Sequence, residues 1–372
     1  MRILQLVAGE KWTGTAAVVF EQTAALVAAG VEAQFGFVEH SPLAERLLPL
    51  GWARPFLAPS PRGLLDFARD ARRLREIVLR EEFDVVHAHA THDHYVAAFA
   101  LRGTSARLAR TLHNLRHARN GPATRALFGR TSAFAFANRA IAGKAGRPGP
   151  IQPPIVDTGR FRPGEKTPAA LARFGLPAGA LLIGTVGKLA RGRGHPEAID
   201  AAAAVSSAGL VHVGHGEEMT NHRARAAERG AGERNFWVGY QEEALPELYR
   251  CWDAFLFTAS GSEQGQRAIL EAMASGLPVV ALDLPGVRDL ITDGQEGLVV
   301  EEPGGLVDAL RRLASSGEMR RSMAEKARAR ALEFTPAKFA ARATAFYEEL
   351  LLTTPLPEPL PDAKRARPSR TP

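Results

Sequence analysis

Residues 259–280 read ASGSEQGQRAILEAMASGLPVV, and the architecture of the whole chain can be worked outward from them. The apolar run after Gly276, LPVVAL, has the length and composition of a buried strand, and Gly276 suits the left-handed position that closes a helix. That helix begins near Gln266, behind a glycine-bearing loop. A helix start turns free backbone N–H groups and its positive dipole end toward the loop before it, which makes a seat for phosphate. Glu263 stands at the rim of that seat, and Glu271, two turns on, reaches the hydroxyls of an adjoining sugar. One short segment thus offers places for a sugar, a phosphate and a second sugar, the outline of a nucleotide-sugar. Arg267 and Glu271 also stand at i, i+4, where a plain surface ion pair would contribute only about 0.3 kcal/mol.

The same alternation of strand and helix runs through the rest of the sequence. RILQLVA, then the helical TAAVVFEQTAALVAAG, then VEAQFGFV open the chain; DFARDARRLREIVLREE and the strand FDVVHAHA follow. This pattern predicts α/β layers around mostly parallel sheets. It breaks at GRPGPIQPPIVDTGRFRPGEKTP and restarts at ALLIGTVG, after which LVHVG, NFWVGY, AFLFTA, PVVAL and GLVV alternate with helices. At 372 residues two cores are expected. The boundaries predicted are an N-terminal unit over 1–150, a linker over 151–178, a second doubly wound unit over 179–335, a last helix over 336–352 and a disordered proline-rich tail over 353–372.

Composition narrows the class. The single cysteine, Cys251, excludes an intrachain disulfide, and its setting YRCWDAFLF predicts a buried structural thiol. No window carries the roughly 18 uninterrupted apolar residues of a spanning helix. The N-terminus MRILQLVAGEKW turns charged too early for a signal peptide, so a cytoplasmic protein is expected. The net charge of +7 is unevenly placed. Between 101 and 150 stand Arg102, Arg107, Arg110, Arg116, Arg119, Arg125, Arg130, Arg139, Lys144 and Arg147 with no acid, and Phe128, Phe134 and Phe136 are interspersed. Such a field attracts anions, among them the lipid headgroups at the inner face of a membrane or a phosphorylated acceptor. No recognisable nucleic-acid module accompanies it, so nucleic acid is not an expected partner.

Two further stretches carry chemistry. GTVGKLARGRGH sets Gly184, Gly187, Gly192 and Gly194 around Lys188 and Arg193 directly after a strand. It matches neither a Walker loop nor a dinucleotide fingerprint. What it supplies is two cations on a strand-end loop, where doubly wound sheets bind ligands, able to neutralise a diphosphate without a metal. FDVVHAHATHDH gathers His87, His89, His92, Asp93 and His94, which invites a metallo-hydrolase reading, although an extra residue puts the pairs out of step with a His-x-His-x-Asp-His signature.

Taken together, KWTGTAAVVFEQTAAL, DVVHAHATHDH, RTLHN, PPIVDTGRFRP, GTVGKLARGRGH, VHVGHGEE, NFWVGYQEEALPELYRCWDAFLF and SEQGQRAILEAMASGLPVVALDLPGVRDLI resemble, in order and spacing, the retaining glycosyltransferases of family 4. The resemblance implies the α/β GT-B fold, two Rossmann-like doubly wound domains facing a central cleft, with the last helix crossing back to the first domain. It implies a metal-independent transfer from a nucleoside-diphosphate sugar to a glycan or lipid-linked acceptor of cell-envelope polysaccharide, with retention of configuration and no cofactor. On the donor side it points to Gly14, Gly187, Lys188, Arg193, His215, Tyr240, Glu263, Gly265, Gln266, Arg267, Ala268 and Glu271; on the acceptor side, to His89 and His113. His113, Glu263, Lys188 and Arg193 are expected nearest the chemistry. The chain departs from the family pattern after the first acid, where Gln264, Gly265, Gln266 and Arg267 replace the usual Gly-Phe-Gly, and also at Thr13, Pro153, Pro154 and Lys188. A sugar-nucleotide-binding scaffold without turnover is the remaining alternative.

Overall fold

The computed structural model describes residues 1–8, 14–42, 44–57, 63–118, 121–259 and 266–353. Thr13, Arg119, Glu263, Gly265 and the tail from 354 onward therefore lie outside the described residues.

Among the described residues the chain forms two six-stranded parallel sheets. The first contains β1 (Arg2–Leu6), β2 (Glu32–Val38), β3 (Ala53–Leu57), β4 (Val85–Ala88), β5 (Arg107–Leu112) and β6 (Ala133–Phe136), in the order β3-β2-β1-β4-β5-β6. The second contains β7 (Leu181–Val186), β8 (Ala208–Val213), β9 (Asn235–Gly239), β10 (Ala254–Phe257), β11 (Val279–Leu282) and β12 (Gly297–Val300), in the order β12-β11-β10-β7-β8-β9. The topology is the same in both. The chain runs outward from its first strand, then returns to the other side of it, which opens a crevice at the carboxyl ends of β1 and β4 and of β7 and β10. Central strands are covered by helices on both faces, so they read as apolar runs: Ile3, Leu4 and Leu6 of β1 and Leu182 of β7 are all essentially inaccessible.

Two strands escape the sequence pattern. ARPFL of β3 carries Arg54 and Pro55, which argue against a central strand; at the sheet edge the missing Pro N–H is tolerated. AFAF of β6 lies within the basic block. Its Phe134 and Phe136, with Phe128, are buried, so these rings belong to the core and form no surface that could enter a lipid layer. Arg107 and Arg110 of the same block are buried as well, leaving Arg102, Arg116, Arg125, Arg130, Arg139, Lys144 and Arg147 on the exterior. Cys251 is buried and unpaired.

The segment after β6 does not run free. Phe136 N–H donates to Pro150 (3.0 Å) and Gln152 N–H to Phe136 (2.7 Å), so it follows the sheet edge before leaving for the second unit. Beside it the chain returns: Val156 N–H donates to the Phe334 carbonyl (3.0 Å), and the Arg328 guanidinium gives hydrogen bonds to the carbonyls of Thr158, Phe161 and Ala274. The final helix, Pro336–Thr353, then lies across the first unit. Its buried face, Phe339, Ala343, Phe346, Tyr347 and Leu350, follows helical spacing and packs with Ile3, Val85 and Ala109 of the sheet and Ala25 and Leu26 of the helix Gly14–Ala28.

Candidate active site

The loops at the carboxyl end of the second sheet are laced together by their backbones. Gly187 N–H donates to Val213 (3.0 Å) and Gly214 N–H to Gly239 (2.8 Å). A Cβ at Gly214, where φ is +137°, would stand 2.0 Å from the Gly187 carbonyl, so only glycine permits this crossing. Gly194, at φ +75°, is equally confined: a Cβ there would meet the Thr258 carbonyl at 1.8 Å, while the Thr258 hydroxyl donates to the Gly194 carbonyl (2.7 Å). The loop bearing Lys188 and Arg193 is thereby held against the end of β10.

A cavity of about 630 Å³ opens above these loops. Gly187 and Lys188 after β7, Gly214 and His215 after β8, Tyr240 after β9, and Arg267, Ala268 and Glu271 of the helix Gln266–Ala274 line it, with Arg160 and Phe161 of the returning segment opposite. Lys188 is well exposed and pairs with Glu217 at 3.0 Å. His215 and Tyr240 meet edge to face, ring centroids 5.6 Å apart, and both are exposed to the opening. Arg193 is half-buried beside His195 and is not among the residues lining this cavity. Gln266 is buried, and its side-chain amide donates to the Pro285 carbonyl at 2.5 Å. That side chain therefore fixes the helix start to the loop after β11 instead of reaching the cavity.

Glu271 is not half of a plain surface pair. It is nearly inaccessible; Arg267 Nε donates to one carboxyl oxygen at 2.9 Å and the Tyr249 hydroxyl to the other at 3.1 Å. Arg267 also reaches across to the first unit, where Nη1 lies 2.7 Å from the carboxylate of Glu21 on the helix Gly14–Ala28. A second cavity, of about 330 Å³, lies between that helix and the returning segment and shares Arg160, Phe161, Arg267 and Glu271 with the first. Burial raises the pKa of Glu271 and of Glu21, an effect that Arg267 only partly offsets. Burial works against the Arg267 charge too, but Glu271 and Glu21 outweigh it and push its pKa up. A carboxylate offers about four acceptor sites. Two of those on Glu271 are occupied, leaving capacity for a pair of ligand hydroxyls. Glu21, Tyr249 and Arg160 were not singled out in the sequence, although each lies within a stretch that carries the family resemblance.

Gly14 opens the first helix. On the first unit His89 and His113 are brought together, His89 Nδ1 and His113 Nε2 lying 2.9 Å apart, and both are buried. The other histidines of the cluster diverge. His87 bonds Tyr347 (2.7 Å) and Thr111 (2.8 Å), His92 faces Asp70 (3.4 Å), and His94 bonds Thr131 (2.8 Å). Among the described residues no group of three or more His, Cys, Asp or Glu side chains converges to hold a metal ion, and the metallo-hydrolase reading finds no support in this geometry. Asp93 serves the backbone instead: it accepts from the N–H groups of Ala8, His89 and Ala90 and faces the buried Arg110 at 3.8 Å. Burial raises Asp93 to about 6, against the pull of Arg110 and those N–H groups.

Two doubly wound units, a cation-bearing loop and a buried helix acid at the carboxyl edge of the second sheet, and an ion pair across to the first unit make up the site. Comparison with known proteins specifies the family. The family model for glycosyl transferases group 1 matches residues 168–330, and that for glycosyltransferase family 4 matches residues 12–143. The chain belongs to the group 1 glycosyltransferases and has the GT-B fold. It is 28% identical over 320 residues to a D-inositol 3-phosphate glycosyltransferase of Acidothermus cellulolyticus, covering 75% of this chain and 71% of that protein. It is 29% identical over 157 residues to the lipopolysaccharide core biosynthesis glycosyltransferase LpsE of Rhizobium meliloti, covering 42% of this chain and 46% of the relative, so the match spans about half the length of that protein. Among solved structures, a glycosyltransferase of Rickettsia africae superposes with a TM-score of 0.82 at 16% identity, covering 95% and 99% of the two chains. Anabaena Alr3699/HepE in complex with UDP gives 0.80 at 19% identity, covering 94% and 100%.

Proposed function

We propose that the protein transfers a sugar from a nucleoside diphosphate to a glycan or lipid-linked acceptor, with retention of anomeric configuration and without a resident metal. The observation that carries this reading is the cavity bounded by Lys188, Arg267 and Glu271 on the donor unit, 179–335, together with the ion pair by which Arg267 reaches Glu21 of the acceptor unit, 1–150. The relative in lipopolysaccharide core biosynthesis supports a role in envelope glycan synthesis, and the UDP bound by the Anabaena protein supports the donor class.

In this scheme Glu271 receives the ribose hydroxyls on its unoccupied lone pairs, and His215 with Tyr240 offers an aromatic wall to the base. Lys188 exchanges Glu217 for the diphosphate, and Arg193 turns from beside His195 to join it. The bond from the anomeric carbon to the diphosphate oxygen breaks, and the electron pair leaves with the diphosphate. The acceptor oxygen forms its bond from the same face, and its proton passes to the departing diphosphate. Each charged hydrogen bond on the leaving group contributes about 1.5–3 kcal/mol.

The test is release of nucleoside diphosphate from a panel including UDP-glucose and GDP-mannose, with NMR of the product anomer. Turnover with an axial product from an axial donor is expected. Binding without turnover of any donor would favour the scaffold alternative, and an inverted product would overturn retention.

A further inference from the structure

The crossing helix contributes more than apolar cover. Gln5 of β1, His87 and His89 on and after β4, and Thr111 and His113 on and after β5 alternate onto the same sheet face as Ile3, Val85 and Ala109, the face the final helix covers. There they form one unbroken polar chain with Tyr347 of that helix. Thr111 Oγ1 lies 2.8 Å from His87 Nε2, and His87 Nδ1 lies 2.7 Å from the Tyr347 hydroxyl. Gln5 Nε2 donates to that hydroxyl at 2.7 Å, Gln5 Oε1 lies 2.7 Å from His89 Nε2, and His89 Nδ1 lies 2.9 Å from His113 Nε2. All six side chains are buried.

A chain of this kind has a direction, because each neutral imidazole is a donor at one nitrogen and an acceptor at the other. Gln5 is the member whose two ends differ. Its amide nitrogen faces Tyr347, so its carbonyl accepts, and His89 carries its proton on Nε2. His89 Nδ1 is then bare and accepts from His113 Nε2–H. His113 is left with its lone pair on Nδ1. On the other branch the Tyr347 hydroxyl, already accepting from Gln5, donates to His87 Nδ1, and His87 Nε2–H donates to Thr111. The rings are neutral, as the scheme requires: burial pushes His87 and His89 well below the ordinary histidine range and His113 to about 3.

We propose that Tyr347 is a positioning residue which, through Gln5 and His89, fixes His113, at the carboxyl end of β5, in the tautomer with a bare Nδ1, the acceptor that the glycosyl-transfer reading would offer to a sugar hydroxyl. A role that is only structural would satisfy the same polar groups with the chain running either way. The meaning given to that lone pair rests on the glycosyl-transfer reading; its existence does not. The test is therefore spectroscopic first. In full-length, ligand-free protein labelled with 15N-histidine, and with His113 assigned through His113→Gln, the ring should show a protonated Nε2 and a bare Nδ1 at neutral pH.

In Tyr347→Phe the Gln5 amide loses its acceptor and turns, and the His113 signal should move to, or divide with, the Nδ1–H form. Gln5→Met keeps the Tyr347–His87 bond but cuts the link, and should release the tautomer in the same way; it carries the test if the tyrosine variant does not fold. An Nδ1–H ring in the wild type, or an unchanged ring in the folded variants, would overturn the proposal. With whichever of UDP-glucose or GDP-mannose the wild type hydrolyses, Tyr347→Phe should lower kcat about tenfold at nearly constant donor KM. A wild type inert toward both donors would count against the transfer reading while the tautomer result stood on its own.

Discussion

The two halves of this chain share one strand order and treat its functional edge in opposite ways. At the end of the first sheet the polar groups are withdrawn from solvent: Gln5, His87, His89 and Thr111 lie on the face a helix covers, with His113 at the end of their chain, and Asp93 with Arg110 lies on the other face, each less than 5% exposed. At the end of the second sheet the cavity is open, Lys188 and Tyr240 are largely exposed, and Lys188 holds a replaceable surface partner. The difference matches two tasks. A charged diphosphate must arrive and leave, so its cations stay near water and trade partners. A neutral hydroxyl needs acceptors already aimed, so those groups are buried and fixed in advance.

If that contrast is right, acid should produce the largest effect. His87, His89 and His113 take up protons in the folded state only far below the ordinary value of 6.5. As pH falls through 6.5 the unfolded chain binds protons that the folded chain refuses. Their contribution is therefore complete above that pH and is lost below it, by about 1.4 kcal/mol per ring per pH unit, or roughly 4 kcal/mol per unit for the three. Thermal melts from pH 7.5 to 5 should show a steep fall in Tm below 6.5; a flat profile would mean these rings are not sealed. Next comes Asp93→Ala, which leaves Arg110 buried without its counter-charge and should cost about 3–5 kcal/mol in denaturant titrations. A loss below about 1 kcal/mol would show that water reaches the pair.

On the open side, Lys188→Ala with Arg193→Ala should lower turnover at least ~100-fold, about 2.7 kcal/mol of barrier, with Tm nearly unchanged. A large drop in Tm would place those cations in the fold instead of the chemistry. The smallest effect expected is at the exterior of the first unit. Its exposed cations from Arg102 to Arg147 should bind anionic vesicles weakly, with co-sedimentation falling as salt rises. Sedimentation insensitive to salt would contradict an electrostatic contact.

Much of this architecture could be read from spacing alone. The alternation of apolar runs and helical stretches signals two doubly wound units because central parallel strands must be apolar on both faces. It fails at β3, where edge placement excuses Pro55, and at β6, where a cluster of arginines obscures a four-residue strand. At the site, Lys188 and Glu271 stand out by their places beyond a strand and on a helix, whereas His215, Tyr240, Arg267 and Ala268 were indicated only by the family resemblance; all six line one cavity. Glu21, Arg160 and Tyr347 were not singled out. Their significance comes from partners far along the chain, 82 residues for Arg160 and Glu242 and 342 for Gln5 and Tyr347, and no local pattern encodes such a meeting. For the same reason Asp93, read within a histidine cluster, proves to be a cap and counter-ion in the interior.

The central claim is that a nucleoside diphosphate is gripped at the open edge of the second sheet. The most direct measurement is thermal shift of the wild type and of the Lys188→Ala/Arg193→Ala variant with UDP, GDP and ADP. At least one nucleotide should raise the wild-type Tm, by about 2.7 kcal/mol of added stability at a hundredfold excess over Kd, and the variant should lose most of that shift. A wild type unmoved by all three, or a variant stabilised as strongly as the wild type, would contradict the account.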